Sequence, residues 1–282
     1  PNPMDSSLWL KWSTDPVILI GVPVAGGLYA RGLQTLKETS RSHHFGRIAC
    51  FYVGLSLLFI ALVSPLDYLS SQLFLAHMTQ HMILIFFAVP AIQIGAPLIP
   101  ILRGTPKSLR KNVLTPIITS LSIRYLLRLI FKPLIAWPFF IGSLAIWHFP
   151  FAFEAAIESD LIHFFEHFVF VAGAYAWWWN IIDPFPLRSN LSKLAKVPYV
   201  FITIVPGFVL GSFLTFAPAA WYETYNATTL AYGVSALEDQ QIGGLIMWIP
   251  GSFVIATALL LALRSAVRAE TIQQLQKEAV GK

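Results

Sequence analysis

The sequence predicts an all-α polytopic membrane protein. It reads as a seven-transmembrane helix bundle with the N-terminus outside, the C-terminus inside and an amphipathic helix on the inner surface. Three observations lead there. The 282 residues are 56% hydrophobic and 14% aromatic but only 12% charged, about half the charge of an ordinary soluble domain. Seven apolar runs of the length needed to cross a hydrocarbon core lie near 16–36, 45–64, 71–94, 133–150, 160–182, 197–217 and 241–264. Of the 19 Lys and Arg residues, all but Lys11 fall in the connections that a seven-run count places on one side, and loops kept in the cytoplasm are those that retain such residues. The same numbers exclude a disordered chain. The lone Cys50 excludes a disulfide framework or a CxxC site. The net charge of +5 is spread over the gaps between apolar runs, so no nucleic-acid partner is expected.

Taken in order, residues Pro1 to Asp5 show no basic stretch leading into a short apolar core. No cleavable signal peptide is expected, and Met4 reads as the natural start. The first run ends in Arg31, Lys37, Arg41 and Arg47, an inner loop where His43 and His44 read as solvated. The third run is followed by basic residues from Arg103 to Lys132. Within this stretch Leu114, Ile117, Ile118 and Leu121 recur at helical spacing, and Arg124, Arg128 and Lys132 follow at i+4. That pattern predicts an amphipathic helix over 113–131 lying on the membrane. Arg188, Lys193 and Lys196 follow the fifth run, and Arg264, Arg268, Lys277 and Lys282 follow the seventh. Asp5, Asp15, Asp67, Glu154, Glu158, Asp160, Glu223, Glu238 and Asp239 all fall on the opposite, outer side. There the segment 219–240, with Trp221, Tyr222, Tyr225 and Tyr232, reads as a loop at the aromatic interface. Pro90, Pro206 and Pro250 predict kinks, and Gly207 with Gly211 reads as helix packing. The whole chain, 1–282, reads as one membrane domain.

The chemistry lies in the other histidines. His77 and His81 on the third run, and His163 and His167 on the fifth, are i,i+4 pairs, so each pair points both rings to one helix face. At a rise of 1.5 Å per residue they lie about 5–16 Å below the outer surface. His148 closes the fourth run at its outer end. One intramembrane histidine is commonly a hydrogen-bonding residue between helices. Five at matching depth point to a metal or haem site, because polar groups in a bilayer face a cavity or a partner. Glu166 shares the face of His163 and His167 and could orient an imidazole or bind metal itself. Met78 and Met82 could add thioethers for a soft ion such as Cu(I), although their angular position favours core packing.

Three chemistries stay open beside a purely structural hydrogen-bond network. Copper suits an imidazole-rich site without thiolate, which can both hold and release an ion. Haem suits opposed imidazoles on the third and fifth runs. Zinc hydrolysis is suggested by His163-Phe164-Phe165-Glu166-His167, which spells HxxEH.

A longer set of motifs narrows these. It comprises His77-Met78-Thr79-Gln80-His81-Met82, Trp147-His148-Phe149-Pro150 with Phe153-Glu154, and His163 with Glu166-His167. It continues with Trp177 to Trp179 and ends in Asp239-Gln240-Gln241-Ile242-Gly243-Gly244. In this order, from about residue 16 to 264, the set resembles the seven-pass CtaG family of bacterial cytochrome c oxidase assembly factors. The resemblance implies a non-enzymatic protein of the bacterial plasma membrane that helps copper reach a haem-copper oxidase. The expected partners are the lipid bilayer, oxidase subunits and an extracytoplasmic copper donor. It makes His77, His81, His148, His163 and His167 the metal-handling positions. Asp67, Glu154 and Asp239 are then outer acidic residues able to attract a cation, or ordinary solvated loop charges.

Overall fold

The computed structural model describes residues 6–38 and 43–280. The expected start at Met4, and Arg41 and Lys282 among the basic residues, lie outside them. The described residues form helices, turns and connections, with no strand. In chain order the helices are α1 (Pro16–Glu38), α2 (Phe45–Val63), α3 (Pro65–Ser70), α4 (Phe74–Ile94) and α5 (Leu98–Gly104). Then come α6 (Lys107–Thr119), α7 (Leu121–Ile130), α8 (Pro133–Trp147), α9 (Pro150–Glu158) and α10 (Asp160–Ile182). The last are α11 (Lys196–Thr215), α12 (Tyr225–Thr228) and α13 (Ala236–Val280).

Five of these (α1, α2, α4, α11 and α13) are long and apolar enough to cross a membrane alone, and two bent pairs raise the number to as many as seven. α10 has the length, 23 residues, but its histidines, Glu166 and tryptophans lower its hydropathy. It is a helix for the bundle interior, packed on α4, α8 and α9. α4 is the central helix. Of its apolar window 61% is buried, against at most 28% for the other four, and α2, α10 and α13 surround it.

Local chemistry explains how α4 is held. Leu73 precedes it and has no side-chain acceptor for the free amides of the first turn. Asp239 of α13 supplies one instead: its carboxylate accepts from Phe74 N at 2.6 Å and Leu75 N at 3.0 Å, a favourable place for negative charge. Farther along, Pro90 lacks the N–H that would close the preceding turn, and the helix widens into a π turn over Ile83–Ala88. The Ile85 carbonyl there is taken by the Trp178 indole at 2.9 Å.

Several elements differ from expectation. The amphipathic helix over 113–131 is broken into α6 and α7, bent by 63°. Thr119 Oγ1 bonds back to the Thr115 carbonyl, and Ser120 turns extended ahead of α7, the behaviour that makes hydroxyl residues poor helix interiors. The fourth run ends at Trp147 rather than 150, because Phe149 before Pro150 must leave the helical region. The chain bends 76° there into α9. The seventh run opens earlier and ends later than expected. A capping box starts α13, with Glu238 N donating to Ser235 Oγ and Ser235 N to Glu238 Oε2, and the helix continues to Val280.

The segment 219–240 holds two tyrosines that are buried rather than surface-lying. Tyr222 stacks on Phe74, and both Tyr222 and Tyr225 pack with Phe74 and Phe153 in a cluster over the N-terminal end of α4. Glycine packing also shifts by one partner. A Cβ on Gly244 would meet Thr215 Oγ1 at 2.6 Å and the Gly211 carbonyl at 3.0 Å, whereas one on Gly207 would meet nothing. The close approach of α11 and α13 thus runs through Gly211 and Gly244.

Candidate metal centre

Four of the five predicted histidines converge. The rings of His77 and His81 on α4 lie 4.2 Å apart, and those of His163 and His167 on α10 lie 4.3 Å apart. Across the helices His77 meets His163 at 5.4 Å, and His81 meets His167 at 5.2 Å. Glu166 sits between the pairs, with Oε1 3.6 Å from His77 Nε2 and 3.9 Å from His81 Nε2. The candidate ligand atoms of His77, His81 and Glu166 all lie within 4.8 Å of one another. Two donors each about 2 Å from a tetrahedral ion sit roughly 3.3 Å apart, so small side-chain rotations would close these three on one ion.

The polar atoms here lack partners. Neither nitrogen of His77 or His81, neither oxygen of Glu166, nor Nε2 of His148, His163 or His167 has a hydrogen bond. His77 and Glu166 are fully buried, and His81, His148 and His167 nearly so. Each unsatisfied buried group costs about 1–3 kcal/mol, a penalty that proteins retain at functional positions. Lone pairs gathered without donors are what a cation recognises.

His148 stands apart. Its Nδ1 lies 2.7 Å from the Leu144 carbonyl; that contact puts the ring proton on Nδ1 and leaves Nε2 a free acceptor. It lines a small cavity, about 40 Å³, with His81 and three thioethers, those of Met78, Met82 and Met247. The methionines are core residues as expected, and they also wall this cavity.

The acidic residues expected on the outer side sort by role. Asp239 caps α4, and Glu154 Oε1 accepts from Glu223 N at 2.9 Å, so both are structural. Asp67 accepts from Gln80 Nε2 at 2.8 Å and lines an open cleft that also reaches His163 and His167. Asp15 and Asp160 share this cleft, a grouping that only folding brings together. The Asp160-x-x-His163 spacing was the one local signal for it. Sequence reasoning also missed the roof: Phe153 lies 4.9 Å from His77, and Tyr222 donates to the His148 carbonyl at 3.0 Å.

Fold and site define a polytopic helical membrane protein with ligand-competent imidazoles and a carboxylate gathered inside its bundle. The family described as cytochrome c oxidase caa3 assembly factor (Caa3_CtaG) matches residues 27–269, and the chain belongs to that family, as the ordered motifs implied. It is also similar to an uncharacterized protein of Mycobacterium leprae, 26% identical over 240 residues, and to one of Mycobacterium bovis, 28% identical over 250. In both cases the match covers 84% of this chain but 36% of the relative, so the chain spans about a third of the length of these relatives. No solved structure matches the chain.

Proposed function

We propose that the protein is a seven-pass assembly factor of the bacterial plasma membrane that holds copper beneath the outer surface and passes it to a haem-copper oxidase. In this reading the spans are α1, α2, α4, α8 with α9, α10, α11 and α13. The basic residues place the N-terminus outside and the C-terminus inside. Family membership supports the oxidase. One observation supports the metal: unpartnered His77, His81 and Glu166 converge in the bundle interior. Copper here is cargo, received from an extracytoplasmic donor and released to an oxidase subunit by ligand exchange. Imidazoles and a carboxylate without thiolate suit that compromise, and Cys50 on α2 is not among the residues gathered here.

The other chemistries fit less well. Haem needs a slot between opposed imidazoles, whereas the rings of α4 and α10 pack against each other. A zinc hydrolase of HxxEH type needs Glu166 to activate water beside His163 and His167, but Glu166 approaches His77 and His81.

The test is copper content of purified protein. The His77→Ala/His81→Ala chain should lose copper about tenfold or more relative to wild type, and cells carrying it should assemble less active oxidase. Unchanged copper content in that variant overturns the reading. A Soret band in the wild type would transfer it to haem.

A further inference from the structure

An open cleft of 590 Å³ lies beside the histidines, between the start of α1, the outer end of α2, α3 and α10. It carries three carboxylates, Asp15, Asp67 and Asp160, and among the described residues no Lys or Arg lines it. The chain builds these positions firmly. Ser13 N donates to the Val63 carbonyl at 2.9 Å, which ties the N-terminal segment to α2. Asp15 Oδ1 caps α1 by accepting from Val17 N at 2.7 Å. Asp67 is half-buried and held by Gln80. Like charges brought together without a counter-charge call for a cation.

A second observation points to the same ligand. His167 lines the cleft, is only 8% exposed, and its Nε2 has no hydrogen-bond partner. The Nε2 of His163, also in the cleft wall, is buried and unpartnered too. These two imidazoles belong at once to the cleft and to the inner cluster, with rings 5.2–5.4 Å from those of His81 and His77. On other sides the cluster meets the aromatic roof, with Phe153 4.9 Å from His77, and the small methionine-lined cavity that His81 shares.

We propose that Asp15, Asp67, Asp160, His163 and His167 form an outer loading site for a divalent transition-metal ion, which enters sideways between α1, α2 and α10. The ion then moves to His77, His81 and Glu166 by exchanging ligands one at a time over about 5 Å. Carboxylates capture the hydrated ion; the shared imidazoles draw it inward. The proposal rests on the copper reading above, and its experiment separates the two.

The probe is copper(II) alone, added to the full chain in detergent. Asp15→Asn/Asp160→Asn preserves the cap on α1, because asparagine caps as aspartate does, and Asp160 is exposed. This variant should still fill the inner site at equilibrium but take copper up about tenfold or more slowly at low salt, with the gap closing at high salt. Equal uptake rates overturn the loading site. With the inner site removed by His77→Gln/His81→Gln, or by the alanine pair, bound copper(II) should still give an electron paramagnetic resonance signal with both nitrogen and oxygen ligands. Adding Asp160→Asn should weaken that signal. Its absence in both inner-site variants overturns the proposal. If wild type shows the outer signal but never fills the inner site, the delivery reading falls and the loading site stands.

Discussion

The two halves of α10 face the same problem and answer it differently. The second half carries Trp177, Trp178 and Asn180 inside the bundle. Trp177 Nε1 donates to Thr203 Oγ1 at 3.2 Å, Trp178 Nε1 to the Ile85 carbonyl at 2.9 Å, and Asn180 Nδ2 to the Phe131 carbonyl at 3.2 Å. Each of these three donors has an acceptor. The first half carries the buried Glu166 and His167 and the partly buried His163, and no donor reaches their Nε2 or carboxylate atoms. The same helix therefore pairs these buried donors where they hold helices together, with Asn180 Oδ1 the one acceptor of the three residues left open, and gathers unpartnered groups around the candidate site. The difference separates polar residues used for stability from those used for binding.

The comparison can be broken in four ways, in descending size. Glu166→Gln removes the charge between the two imidazole pairs. Copper affinity should fall about 10–100-fold, while thermal stability in detergent holds or rises because an unpaired buried carboxylate is gone. Unchanged affinity would remove Glu166 from the site. Thr203→Val strips the acceptor shared by the Trp177 and Trp137 indoles and should cost about 3 kcal/mol of stability, with copper content intact. Trp178→Phe should cost about 1–2 kcal/mol by orphaning the Ile85 carbonyl, again without touching copper. If it lowers copper instead, the π turn of α4 positions His81 and the two halves are not independent.

The smallest effect concerns Asp183, the left-handed C-cap of α10 (φ 56°). Burial pushes its carboxyl up, but hydrogen bonds from Lys193, Lys196 and Ser189 N outweigh this and hold it below the usual range. A depressed carboxyl adds stability above the unfolded value, about 3.9, and that stability is lost as pH falls through the lower folded value. Asp183→Asn, which tolerates the same backbone, should flatten the acid limb of a melting-temperature profile: the half-exposed Lys193 adds little, and what is lost is the pairing of the buried Lys196.

Much of the fold was legible because hydropathy and helical spacing are local. The i,i+4 pairs needed only the helix to face one way, and α4 and α10 do bring His77, His81, His163 and His167 together. What failed locally was set by single residues whose partners lie far along the chain. Asp239 looked like loop charge because its partners, the Phe74 and Leu75 amides, are 165 and 164 residues away. Tyr222 and Tyr225 looked interfacial because aromatic residues suit both a membrane surface and a roof over a site. Ser120 and Phe149 broke helices that apolar periodicity continued through. The cleft was invisible because Asp15, Asp67 and Asp160 come from three separate elements.

The phenols above the cluster grip backbone as well as rings. Tyr225 donates to the Ser70 carbonyl at 2.8 Å and Tyr222 to that of His148, while Thr228 takes the Gln72 carbonyl at 2.7 Å. Lifting this cover frays the ends of α3 and α8 together, so unroofing is one concerted event rather than the flap of a loop. Amide exchange at Phe74 and Leu75 should accordingly be as slow as in the bundle core, and fast exchange there would show the lid swings freely.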